Sequence, residues 1–459
     1  MVDGAAIPSR TDGADAVDPR RVLDLEPMRW RQVVAITVCV LLNALDGFDV
    51  LAISFAAPGI AAEWNIDRGA LGLVLSMELF GMAAGSVLLG GLADRVGRRP
   101  TILACLGIMA VGMGLAPFTT GIVMLSAIRL FTGIGIGGML AGTNAMVAEQ
   151  ANARNRALAV TIMAAGYPLG AIVGGTVASS LLGSGGWRDV FTFGCIATTM
   201  FLPCAWWLLP ETVGFLVERR PRDALARINA ALCGGGHQPL LMLPPVVAQR
   251  PPVGVPALFK SGLAATTTLL TVAYFAHIMT FYFTLKWIPK IVVDLGEPPA
   301  TAGGVLVWAN VGGLTGALLL GLLSRRWPVR PLIIAALAGA VASVIGFGQA
   351  SGSLNGLKVA AALAGFFTNA GVVGLYALIA QSFPGALRGS GTGFVIGIGR
   401  AGAALGPIAA GGLFAAGGDL ALVAGCMACG SAIAAVALIM LRGKGNAAVS
   451  TILPKHAAV

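Results

Sequence analysis

Apolar residues run in long unbroken blocks along this chain, not in the alternation of a strand or the three-to-four spacing of a half-buried helix. The blocks fall at 33–57, 70–92, 101–119, 122–148, 157–181, 187–209, 262–288, 300–323, 331–350, 356–381, 390–416 and 419–441. Each is near the ~20 residues that a helix needs to cross a bilayer core. Lipid offers backbone groups no hydrogen-bond partner, so such blocks must satisfy themselves as helices. The pattern predicts an all-α membrane protein of twelve spans. The longest polar break, 210–261, holds Arg219, Arg220, Arg222, Arg227 and the pairs Pro244-Pro245 and Pro251-Pro252. It divides a six-helix bundle at 33–209 from a second at 262–441, with tails at 1–32 and 442–459.

Composition excludes other classes. The chain is 57% apolar and 11% charged, against about 25% charged in a soluble domain. Its 65 glycines follow no G-X-Y period and suit helices packed backbone to backbone. The net charge of +10 suggests nucleic acid in a soluble protein; here it reflects loop asymmetry. With twelve spans, 23 of the 30 Lys and Arg fall on the side of the tails and the central linker. Five fall opposite (Arg68, Arg188, Lys286, Lys290, Lys358), and Arg129 and Arg400 lie inside spans. That bias predicts cytoplasmic tails and linker. Trp30, Trp64, Trp187, Trp206, Trp207, Trp287 and Trp327 stand near span ends, where an interfacial belt is expected. Cys426-x-x-Cys429 is a lone pair inside a span, read as packing residues and not a metal or redox site. The first 30 residues are polar, and no cleavable signal is expected. The absence of a phosphate-binding Walker loop argues against ATP-driven work.

The halves repeat at an offset of 232: Gly133 matches Gly365, Gly142 matches Gly374, Arg156 matches Arg388, Gly170 matches Gly402 and Gly174 matches Gly406, while Glu149 meets Gln381. Two repeated six-helix halves with a site between them near the midplane is a transporter plan.

Chemistry concentrates at a few positions. In the first span, Asp46 and Asp49 share one helix face at i and i+3. An ionised Asp at that depth costs roughly 2.5–3.5 kcal/mol on insertion scales, which points to a water-filled cavity, a cationic partner or a bound proton. Proton coupling and a structural ion pair both fit. Arg129 opens a glycine run in the fourth span, Arg129 to Gly138, and is the expected counter-ion of the aspartates. Glu149 ends that span, either in a proton path or paired with Arg154 or Arg156. Between the second and third spans stands GGLADRVGRRP, in which Asp94, Arg95, Arg98 and Arg99 are expected to gate and brace one membrane face; GLLSRRWPVRP at 321–331 echoes it. Arg400, deep in the eleventh span, has no neighbouring acid in sequence. Its planar guanidinium suits a substrate carboxylate, or it pairs with an acid on another helix. Arg388 is expected to gate. His277, with Tyr274, Phe281 and Tyr282 beside it, offers aromatic stacking and a hydrogen bond, or plain packing. Trp308, Tyr167, Phe367, Asn369, Tyr376 and Phe394 are further candidates for the substrate site.

The loop motif and the twelve-span plan resemble the major facilitator superfamily over nearly the whole chain. LDGFD with Ala57-Pro58 behind it, the Arg129 glycine run, PETVGFLVERRP at 210–221 and LRGSGTGFVIGIGRAGAALGP at 387–407 are similar to its aromatic acid:proton symporter branch, whose members carry benzoate and 4-hydroxybenzoate. One departure is Glu211-Thr212-Val213, where a Pro-Glu-Ser form is commoner in related porters. The resemblance implies transport roles for Asp46, Asp49, Arg129, Glu149, Arg388 and Arg400. It implies proton-coupled uptake of an aromatic carboxylate by a monomeric, multi-pass protein of the bacterial cytoplasmic membrane. The proton would be the coupling ion, with no other cofactor, no enzymatic step and no nucleic-acid partner. The expected roles are then proton coupling at Asp46, Asp49 and Glu149, and substrate binding at Arg129, Arg400, His277, Tyr274, Tyr282 and Trp308. Other cargo on the same scaffold (a sugar, sialic acid, nicotinate or an organic acid) and drug efflux are the competing readings.

Overall fold

The computed structural model describes residues 18–234, 239–240, 242–243, 255–259, 263–350, 353–384 and 387–441. These form helices and connecting turns, without a strand among the described residues. In order they are α1 (Pro19–Leu25), α2 (Trp30–Trp64), α3 (Arg68–Val96), α4 (Arg98–Leu115), α5 (Ile122–Gln150), α6 (Arg156–Ser184), α7 (Trp187–Leu208), α8 (Val213–Arg219), α9 (Ala224–Gly234), α10 (Ala264–Asp294), α11 (Pro299–Leu323), α12 (Val329–Gln349), α13 (Leu354–Ser382), α14 (Arg388–Ala415) and α15 (Leu420–Met440). Twelve of them, α2–α7 and α10–α15, are long and apolar enough to cross a membrane.

The 232-residue offset is realised element by element. Shifting α5 by 232 gives 354–382, the bounds of α13, and the shifted start of α6 is Arg388, the start of α14. The matched glycines make matching crossings. Gly133 lies against the backbone of Glu78 and Gly365 against that of Ala309; Gly170 lies against Ala44 and Gly402 against Phe275. In each case a Cβ has no room, so these glycines set how closely the helices approach.

Observed helices outrun the apolar blocks, because hydropathy falls at the first charge while backbone hydrogen bonding does not. α10 continues past residue 288 to Asp294 and takes Lys290 into the helix. Lys286 is fully buried, so it is not a loop charge, and four basic residues remain on that side. Trp287 is also inside: it packs on Phe414 at 5.0 Å and donates to the Pro407 carbonyl at 3.2 Å. It therefore leaves the expected belt, whereas Trp30, Trp206, Trp207 and Trp327 are exposed. Cys426 and Cys429 are exposed and not packed inside.

The tail and linker fold onto the first bundle. Val213, Leu216 and Val217 of α8 pack with Ile228 and Leu232 of α9 and with Val22 and Leu23 of α1. Asp24 accepts Arg156 in an ion pair, and its carbonyl accepts Ala153 N–H at 3.0 Å. The face carrying these elements and the end of α15 is called the near face below; the opposite one is the far face. Pro244-Pro245, Pro251-Pro252, Arg250, Lys260 and the residues after 441 lie outside the described residues.

Candidate functional site: a buried charge cluster beside a central gap

Close inter-bundle contact is concentrated in the far halves. α3 meets α14 where Gly72 lies against Pro407 and Gly411, and α6 meets α11 where Gly303 faces Ser179. Arg68 pairs with Asp294 at 3.0 Å. The contact nearest the midplane is Arg400 donating to the Met82 carbonyl at 3.1 Å.

A cluster of charges sits where α2, α3, α5 and α10 converge. Arg129 is fully buried and ion-paired with Glu78, which is also fully buried. It also donates to the Asp49 carbonyl at 2.9 Å, lies 3.4 Å from the Met113 sulfur, and stands over the Phe191 ring at 5.4 Å. Lys286 crosses from the second bundle to Glu78 at 3.3 Å and donates to the Val50 carbonyl. Glu78 therefore holds two cations, one from each bundle.

This corrects the expected pairing of Arg129 with the aspartates. Arg129 meets Asp49 through its backbone, and its ionic partner is a residue of α3. Asp46 and Asp49 are buried, and their carboxylates point into the first bundle. Thr198 of α7 donates to Asp49 Oδ2 at 3.4 Å, while Asp49 Oδ1 and both oxygens of Asp46 have no hydrogen-bond partner. Arg129, expected to touch substrate, has both terminal guanidinium nitrogens engaged inside the first bundle. Glu78 and Lys286 are absent from the expected site. Glu78 carried a usable signal, since an ionisable residue within a span is itself a functional flag. Lys286 was masked by its position at the edge of its apolar block.

The gap between bundles is lined by other residues. Tyr167, Pro168, Phe281, Leu285, Asn310 and Asn369 surround a cavity of about 20 Å³. Tyr376 lies two turns beyond Asn369 on the same face of α13 and is 41% exposed, while its hydroxyl bonds that of Tyr274 at 2.9 Å. The Tyr274 ring lies against Gly399, the residue before Arg400. Arg400 has no carboxylate partner among the described residues.

Two expected substrate residues are placed elsewhere. His277 is buried within the second bundle, Nδ1 bonding Ser431 and Nε2 the Thr368 carbonyl, both at 2.9 Å. Both ring nitrogens are used, so the geometry favours packing. Trp308 is 48% exposed and shares the outer face of α11 with Leu319 and Leu322, opposite Asn310.

The motif loop forms a network at the near face. Asp94 pairs with Arg98, which also reaches Glu149 at 3.3 Å. Glu211 accepts the Arg98 and Arg99 backbone N–H groups at 2.9 and 3.4 Å, capping the first turn of α4. Gly97 takes φ +121° there, a backbone region that favours glycine. Arg99 bonds the Trp206 carbonyl at 2.6 Å, and Arg219 of α8 bonds the Asp94 carbonyl at 2.9 Å. Glu149 thus belongs with this network and not with Arg154 or Arg156. Arg95 and Arg388 are exposed.

Comparison with known proteins agrees with this architecture. The profile described as Major Facilitator Superfamily matches residues 39–356 and 270–457. The chain belongs to the major facilitator superfamily. It is 30% identical to the gallate transporter of Pseudomonas putida, over 89% of this chain and 91% of that one. It is 31% identical to a 4-hydroxybenzoate transporter of Pseudomonas aeruginosa, over 83% and 85%. Among solved structures, the D-xylose-proton symporter superposes with a TM-score of 0.70 at 19% identity, covering 90% of this chain and 98% of that one. Two superfamily bundles meeting at a midplane gap are the frame on which Arg400 and the tyrosines are mounted.

Proposed function

We propose that this protein is a proton-coupled symporter that takes up a small aromatic carboxylate by alternating access. The observation that carries the reading is Arg400. It is a cation at the midplane seam between bundles, with no carboxylate partner among the described residues and with the Tyr274 ring against the adjoining Gly399. A guanidinium binds a carboxylate through two parallel hydrogen bonds, and aromatic rings pack on an aromatic ring edge-on or offset. A benzoate-like anion satisfies both. The gallate and 4-hydroxybenzoate transporters among the relatives support the same substrate class.

The near face is the cytoplasmic one on this reading. After Lys286 is moved inside, 17 basic residues among the described ones fall on the near side and four on the far side. Asp46 and Asp49 would carry the coupled proton. An ionised carboxylate buried without a partner costs several kcal/mol, and a bound proton removes that cost. Glu149, Asp94, Arg98 and Arg99 would then hold the cytoplasmic face during the rocking of the bundles, and the monomer suffices as the transport unit.

The test is uptake of labelled 4-hydroxybenzoate, benzoate and gallate into proteoliposomes under imposed pH gradients. Accumulation that rises with an inward proton gradient supports symport; uptake indifferent to the gradient overturns it. A thermal-shift panel that includes xylose, sialic acid and nicotinate separates the cargo classes.

A further inference from the structure

We infer that Lys286 is a ligand for the substrate carboxylate, presented only when the far face opens, and that Glu78 competes with the substrate for it. The inference rests on the transport reading above and adds a second anion site at a different depth.

Its basis is an asymmetry in the charge cluster. Lys286 belongs to the second bundle, yet both its acceptors, Glu78 and the Val50 carbonyl, belong to the first. Glu78 also holds Arg129, which shares its bundle. Opening the far face separates α10 from α2 and α3. Glu78 then keeps Arg129, while Lys286 loses both acceptors together. The ammonium is then free of its acceptors and open to an arriving anion, with which it makes a charge-assisted hydrogen bond.

Lys286 stands beside the seam between the bundles. Phe281 and Leu285, one turn apart on α10, line the midplane cavity with Tyr167, Asn310 and Asn369. Lys286 is the next residue along, turned toward the first bundle. It lies eight residues from the end of α10, about 12 Å from the far end. Arg400 lies twelve residues into α14, about 18 Å from the near end. When the far face closes, Glu78 retakes Lys286 and displaces the carboxylate toward Arg400. No bond is made or broken covalently; one ion pair is exchanged for another.

The experiment uses the full chain in proteoliposomes of known orientation and labelled 4-hydroxybenzoate, loaded from the far or the near face. Lys286→Met strands no charge, because Glu78 keeps Arg129; Lys286→Gln serves where the Met variant is not monodisperse. KM for far-face loading is expected to rise about tenfold to a hundredfold, the loss of one charge-assisted contact. The ratio of far-face to near-face KM is expected to rise above the wild-type ratio, and Lys286→Arg recovers most of the far-face affinity. An unchanged far-face KM, or an equal rise at both faces, overturns the inference. Wild-type protein that carries no aromatic carboxylate from either face overturns the proposed function instead.

Discussion

Glu78 and Arg129 form a fully buried ion pair between α3 and α5, and Lys286 shares the same carboxylate from the other bundle. Three charges of one cluster thus lie where the two halves of the molecule meet, and their removal is not equivalent. Glu78→Ala strands two cations in the interior, whereas Lys286→Met strands none. Breaking a buried pair by removing one partner costs about 3–5 kcal/mol. Glu78→Ala is therefore expected to lower the detergent-solubilised melting temperature far more than Lys286→Met, read by intrinsic fluorescence. Equal melting temperatures would remove Glu78 from its central position.

The aspartates of α2 are expected to separate accumulation from movement. Asp46→Asn and Asp49→Asn keep size and remove the titrating group. Each should abolish concentrative uptake of labelled 4-hydroxybenzoate while leaving exchange across vesicles measurable. Retained accumulation in both variants would place the coupling site elsewhere.

Arg400→Ala is expected to lose binding of aromatic acids before any other property. Removal of a charge-assisted contact costs about 1.5–3 kcal/mol, read as a lost thermal shift with benzoate. Arg400→Lys should recover part of it, because an ammonium keeps the charge but not the two-pronged geometry.

His277 makes two hydrogen bonds inside the second bundle, to Ser431 and to the Thr368 carbonyl. His277→Ala leaves both partners unsatisfied, at about 1–3 kcal/mol per buried group. The variant should be less stable, with an unchanged KM for substrate. A raised KM at unchanged stability would return His277 to the substrate site.

Glu149 reaches Arg98 at 3.3 Å in the near-face network. Glu149→Gln is expected to change the transport rate while the response to an imposed pH gradient persists. Loss of that response with substrate exchange intact would assign Glu149 to the proton path.

The frame was legible because lipid enforces it. Twelve apolar blocks, a 23-to-5 charge bias, the 232-residue offset and the GGLADRVGRRP loop each report a local constraint. Such constraints are written in adjacent residues. Arg400 was legible for the same reason, since a charge inside a span stands out against its neighbours. The partners were not. Arg129 meets Glu78 at a separation of 51 residues, and Glu78 meets Lys286 at 208. Which of several buried acids takes a given cation depends on the rotation and depth of each helix, and those follow from side-chain packing across the whole bundle. The same packing turned Trp308 outward, closed both nitrogens of His277 and buried Lys286 against Glu78. Sequence alone determined how many membrane spans there are, in what order they run and which halves repeat. Tertiary structure alone decided which charges touch, because a coulombic contact depends on distance in space and the chain's order does not encode that distance locally.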